Sequence, residues 1–137
     1  MVKAEIFGPD TYDSCANRVK KLTGILLIFH PGCGHCVQMR PEWDEMKRRL
    51  PADTKIVELD GSSMSDHHEL QKSPIIQRTP GFPSIFHIKN GTIADEFKGP
   101  RTANELVQFA NKANRNKKRM RKSKKVRSKK VKSKRRK

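Results

Sequence analysis

Five apolar residues in succession, Ile25-Leu26-Leu27-Ile28-Phe29, lead through His30, Pro31 and Gly32 into Cys33-Gly34-His35-Cys36. No other stretch constrains the fold as strongly. An apolar run without alternation is what a strand covered on both faces requires. Such a strand needs helices above and below it, which makes the chain an α/β protein. The residues after the junction read as a helix, since Met39, Trp43, Met46 and Leu50 recur at helical spacing and Pro51 stops the pattern. Pro41 falls inside this helix and should kink it. Cys33 stands where the helix begins, and there the unpaired backbone N–H groups and the helix dipole favour a thiolate. Cys36 lies one turn further in and can close a disulfide on Cys33. His35 lies between them, and a protonated imidazole there would favour thiolate over disulfide, making the pair more oxidising.

The remaining elements follow from the same patterns. Val2 to Phe7 reads as a short edge strand ended by Gly8-Pro9, and Thr11 or Asp13 can cap a helix towards Leu22. Lys55 to Leu59 reads as a strand and Ser65 to Lys72 as a short helix. Ser84 to Ile88 and Thr92 to Phe97 flank Lys89-Asn90-Gly91, which is a hairpin signal. A last helix is expected from Thr102 to about Lys112, with Leu106, Phe109, Ala110 and Ala113 on its buried side. The order strand, helix, strand, helix, strand, strand, helix predicts a mixed central sheet flanked by helices.

Charge divides the chain in two. Residues 115–137 hold 16 of the 31 Lys and Arg and no Asp or Glu, while the first 114 residues hold the other 15 against all 14 acidic residues. Nearly all of the net charge of +17 therefore belongs to the C-terminal segment. We read residues 1–113 as the folded domain and 114–137 as a Lys/Arg-rich tail. Lys122, Arg127 and Lys132 each open a near-repeat of five residues, which is neither a helical nor a strand period. With no apolar face and strong self-repulsion, the tail is expected to be disordered when free. Its cations, Lys117, Lys118, Arg119, Arg121, Lys122, Lys124, Lys125, Arg127, Lys129, Lys130, Lys132, Lys134, Arg135, Arg136 and Lys137, form a candidate site for nucleic acid or another polyanion. The tail has no aromatic side chain to stack on bases, so it should meet phosphates without choosing sequence. It also resembles a nuclear localisation signal.

Met1 to Asp10 shows no secretory signal pattern, and no apolar run is long enough to span a bilayer. Three cysteines cannot form a full disulfide framework within one chain. These features favour a reducing compartment, the cytoplasm or nucleus, and the basic tail would also suit the interior of a viral particle.

Cys33-Gly34-His35-Cys36 is similar to the active-site motif of the protein disulfide isomerase domains of the thioredoxin superfamily. Other segments agree. Pro41 lies five residues after the second cysteine, where the family has its helix-kinking proline. Gly81-Phe82-Pro83-Ser84-Ile85 resembles the Gly-Phe-Pro-Thr segment that carries the family's cis-proline. Lys89-Asn90-Gly91 matches the family's hairpin turn, and Gly99-Pro100-Arg101-Thr102-Ala103 resembles the segment with the mobile arginine of isomerase domains. The resemblance covers about Asp13 to Lys112. It implies the thioredoxin fold and thiol–disulfide exchange on protein dithiols and disulfides, with no cofactor. It further implies that Cys33 attacks, Cys36 resolves, Pro83 is cis beside the sulfurs and Arg101 lowers the pKa of Cys36. Gly34 and His35 complete the motif. Two positions depart from the pattern. Gly32 stands where the family usually has Trp, which removes an aromatic wall. Leu27 stands where the family usually buries an acid as proton acceptor, so Cys36 should deprotonate less readily.

Other chemistries fit less well. A structural zinc site wants four ligands, for which Cys15 and either His30 or His35 would have to join the pair. Haem attachment needs His directly after Cys36, and Val37 is there. Cys15 reads as a buried helix cysteine and Trp43 as core. His67-His68 reads as a solvated pair, since adjacent helical residues face different ways. The rival to an exchanger is a non-catalytic adaptor or virion component whose working part is the tail.

Overall fold

The computed structural model describes residues 2–115. Five strands form one mixed sheet: β1 (Glu5–Phe7), β2 (Gly24–Phe29), β3 (Ile56–Asp60), β4 (Ser84–Lys89) and β5 (Thr92–Glu96), in the order β1-β3-β2-β4-β5. The first three are parallel, β4 adds antiparallel to β2, and β5 adds antiparallel to β4. The apolar run of β2 is central, and its alternate residues enter two cores. Leu26 and Ile28 pack with Tyr12, Cys15 and Val19 of helix α1 (Tyr12–Lys21). Ile25 and Leu27 pack with Met39, Trp43 and Met46 of α2 (Gly34–Arg49). Burial on both faces is thus the physical reason for the unbroken hydrophobicity of this strand.

The segment read as one helix from Ser65 to Lys72 is instead broken into a 3-10 turn, Met64–Asp66, and α3 (His68–Gln71), and a further short helix beyond it, α4 (Pro74–Gln77), was not expected. His67 is extended and divides the first two. Its Nδ1 accepts the Leu70 N–H at 3.2 Å and caps α3, and its ring meets Tyr12 edge-on at 5.2 Å. His67 is therefore partly buried and structural rather than one of a solvated pair. Thr11 flanks α1, but its hydroxyl bonds back to Gly8 instead of capping. In the β4–β5 turn Asn90 and Gly91 take positive φ of 49° and 79°, and a side chain at Gly91 would also strike the Lys20 carbonyl. The last helix, α5, covers residues 103–115 and adds Leu106, Ala110 and Ala113 to the α2-side core. Thr102 Oγ1 accepts the Glu105 N–H at 3.3 Å, and Asn114 Nδ2 donates to Thr54 Oγ1 at 3.2 Å, tying both ends of α5. The polyanion-site residues Lys117 to Lys137 lie outside the described residues.

Candidate active site

The dithiol stands at the C-terminal end of β2, where the chain turns over residues 30–33 into α2. Cys33 is the N-cap residue of α2, with extended backbone, and its carbonyl accepts the Val37 N–H at 3.1 Å. Its thiol is partly exposed and lies 3.6 Å from the Phe82 carbonyl, which accepts from it. The backbone N–H of Cys36 holds the Cys33 pKa below the ordinary thiol value. Slight desolvation opposes this, while the Cys36 thiol, the His35 N–H and the Arg101 charge assist it. Cys36 is 5% exposed, and burial pushes its pKa up. The His30 N–H, 3.5 Å from Cys36 Sγ, and Arg101 pull the other way without prevailing. All three cysteines are free thiols. The arrangement can present one thiolate to an incoming disulfide while keeping a protonated thiol beside it for the second step.

The other residues singled out in the sequence fall around these sulfurs. Gly34 and His35 open α2 and are both exposed, and the contribution of His35 at rest is its backbone N–H. The Phe82–Pro83 peptide is cis, and the Phe82 carbonyl lies 3.6 Å from the Cys33 thiol. Arg101 lies in the exposed segment before α5, and its charge reaches both sulfurs. Cys15 is fully buried in the α1-side core, away from the dithiol. Among the described residues, no three or more His, Cys, Asp or Glu side chains are arranged to hold a metal ion.

Two residues of this region escaped the sequence reading, and a third, His30, was weighed there only as a possible zinc ligand. Glu58 pairs in register with Leu27 and is 1% exposed. Burial alone would raise its pKa, but hydrogen bonds from Arg40 Nη1 at 2.6 Å and Lys47 Nζ at 3.0 Å outweigh it and hold the carboxyl below the usual range. The Trp43 indole N–H also favours the ionised form, though it makes no hydrogen bond of its own, so its help is electrostatic. A buried carboxylate therefore does lie beside Leu27, on the neighbouring strand, but it is held ionised by two cations. The signal for it was a charged residue at the centre of the strand run Ile56-Val57-Glu58-Leu59. Arg40, one turn beyond Cys36, carries its guanidinium 4.9 Å over the Phe29 ring. It lines a groove of about 400 Å³ together with Cys36, His30 and exposed Val37. The third is the His30 imidazole, whose Nδ1 accepts the Gly32 N–H at 2.9 Å; it carried no sequence signal beyond its place before the motif.

Fold and site together define a dithiol protein with an activated, exposed first cysteine and a buried second one. A family model described as Thioredoxin matches residues 7–112. Protein disulfide isomerase-like 2-3 of Oryza sativa subsp. japonica is 30% identical over 106 residues, covering 76% of this chain and 22% of that protein. Protein disulfide-isomerase of Saccharomyces cerevisiae is 34% identical over 84 residues, covering 60% and 15%. Thioredoxin domain-containing protein 5 homolog of Drosophila melanogaster is 25% identical over 111 residues, covering 79% and 25%. Among solved structures, the J-Trx1 fragment of ERdj5 superposes with a TM-score of 0.60 at 19% identity, over 82% of this chain and 52% of that one. Thioredoxin f from spinach chloroplast does so with 0.57 at 18%, over 82% and 94%. The chain belongs to the thioredoxin family. It spans a quarter or less of the length of these three curated relatives.

Proposed function

We propose that this chain is a thiol–disulfide oxidoreductase acting on protein dithiols and disulfides, in the manner of a protein disulfide isomerase domain. The observation that carries the reading is the split between the two thiols: Cys33 accessible with its pKa lowered, Cys36 buried with its pKa raised. In the reductive direction the Cys33 thiolate attacks a substrate disulfide, one substrate sulfur leaves as thiolate, and a mixed disulfide forms. Cys36 then loses its proton and attacks Cys33 Sγ, the second substrate sulfur leaves, and the Cys33–Cys36 disulfide remains. The oxidative direction is the reverse. Arg101 supports the second step, because its charge lowers the Cys36 pKa that burial raises. Turnover of insulin disulfides with glutathione, and recovery of scrambled ribonuclease, test the reading. Both should be abolished by Cys33→Ser, while Cys36→Ser should accumulate mixed disulfide. A wild-type protein inactive in both assays would favour the adaptor reading instead.

The Lys/Arg-rich tail extends this proposal. Sixteen cations without an acidic residue are suited to hold the domain near nucleic acid or another polyanion through phosphate contacts. A reducing setting such as the cytoplasm or nucleus is the location proposed with it.

A further inference from the structure

The loop that delivers Cys33 to the start of α2 is closed by one side chain. His30 Nδ1 accepts the Gly32 N–H at 2.9 Å, two residues on, in the manner of an Asx turn built with imidazole. The His30 carbonyl accepts the Cys33 N–H at 3.0 Å, and the His30 N–H points to Cys36 Sγ at 3.5 Å. The same ring packs at 5.5 Å, tilted by 59°, on Phe82, whose carbonyl faces the Cys33 thiol at 3.6 Å. His30 thus touches both loops that frame the sulfurs. Gly32 is fitted to it, since a Cβ at position 32 would lie 3.3 Å from His30 Cε1 and 3.4 Å from Nδ1, tighter than an ordinary contact. Glycine at 32 and imidazole at 30 are therefore one device, and the ring stands beside the place where an aromatic wall would otherwise rise from position 32.

We propose that His30 is a positioning residue of the dithiol: by accepting the Gly32 N–H it latches the loop so that Cys33 Sγ meets the free N–H groups of α2. The inference rests on Cys33 being the attacking thiol. Only an imidazole unprotonated at Nδ1 can accept this bond. Without it the Gly32–Cys33 backbone is freed to turn, and the sulfur loses alignment with the N–H groups of His35 and Cys36 that stabilise its thiolate.

The test compares wild type, His30→Ala, His30→Phe and His30→Asn, each as the full chain. The rate of Cys33 alkylation at pH 6 and the reduction potential of the Cys33–Cys36 pair are read together. The Asn carbonyl oxygen can take the place of Nδ1, whereas Phe keeps a ring without an acceptor. Loss of the latch should slow Cys33 labelling about fivefold in the Ala and Phe variants, the worth of one hydrogen bond. The same factor makes the pair more reducing by about 20 mV, at 29.6 mV per tenfold. Asn should restore both values, which a general loosening of the fold would not allow. Buried Cys15 serves as the internal sentinel, since it should stay unlabelled in every variant that remains folded. Phe at the wild-type rate, or Asn as slow as Ala, overturns the latch. A wild-type protein in which Cys33 is not the first thiol labelled overturns the reading of the dithiol itself.

Discussion

Cys33 and Cys36 carry the same side chain three positions apart, yet the chain gives them opposite acidities. Cys33 receives N–H groups at the helix start, and Cys36 is turned into the protein. The expected outcome is that iodoacetamide at pH 6 labels Cys33 well before Cys36 or Cys15, read by mass spectrometry of the quenched peptides; uniform labelling would refute the division of roles. The placement of the two sulfurs at the helix start was legible because a strand running into Cys-x-x-Cys leaves little choice of geometry, whereas their roles as attacking and resolving thiols came from the family resemblance. The place of His30 was not legible, since a side chain that bonds two residues along a loop leaves no periodic trace. The third thiol carries a different prediction. Burial pushes Cys15 from 9.0 up to about 12. The folded protein keeps a proton there that the unfolded chain releases above about pH 9, so this contribution to stability is whole below that pH and is lost as pH rises towards 12. At 1.36 kcal/mol per unit the loss reaches at most about 4 kcal/mol. Tyr12, also raised by burial, adds to the same alkaline slope. Urea unfolding between pH 8 and pH 11 should therefore fall more steeply for wild type than for Cys15→Ala, and parallel curves would place Cys15 in contact with solvent.

At the scale of elements, the β2–β3 pair changes what a substitution at Leu27 can achieve. From the sequence, position 27 lacks an acid that the family usually has, and a glutamate there would be expected to supply the missing proton acceptor. The register sets Leu27 opposite Glu58, and both face α2. A second carboxylate would thus sit beside one already ionised, with Arg40 and Lys47 committed to the first. Leu27→Glu alone should cost about 3–5 kcal/mol, the range for a buried charge left without its own partner. Adding Glu58→Gln should recover most of that loss, because the two cations then pair with the new acid. Denaturation midpoints of the single and double variants check this; a single variant as stable as wild type would show that position 27 does not sense Glu58. The last four strands were legible to within one residue, because apolar runs and the Asn90-Gly91 turn mark them, whereas β1 begins three residues later than Val2. The segment from Met64 to Gln77 was not legible. Its short pieces are fixed by the His67 cap, by the Pro74 ring opening α4 and by contact with α1, none of which gives a repeating pattern.

For the whole molecule, the sequence divides charge so sharply that domain and tail can be separated by experiment. The place to cut is set by the fold: Ala113 is buried and Asn114 bonds Thr54, so residues 1–115 should be kept together. A chain ending at Arg115 should retain its fold and the same Cys33 alkylation rate as the full chain, because the sulfurs lie at the opposite end of the sheet from the Thr54–Asn114 contact. It should lose binding to duplex DNA or RNA, since 15 of the 16 cations of residues 115–137 are removed with residues 116–137. In the full chain, binding should weaken steeply with salt, because each phosphate neutralised releases about 0.9 counterion. With about half of the cations engaged, the log–log slope should be about −7. A chain with its tail residues shuffled should bind with nearly the same affinity, as phosphates carry no sequence information. Fluorescence anisotropy of labelled duplexes across a salt series measures all three. An affinity that survives truncation would place the contact on the folded domain, and a slope near zero would point to a protein partner rather than a polyanion.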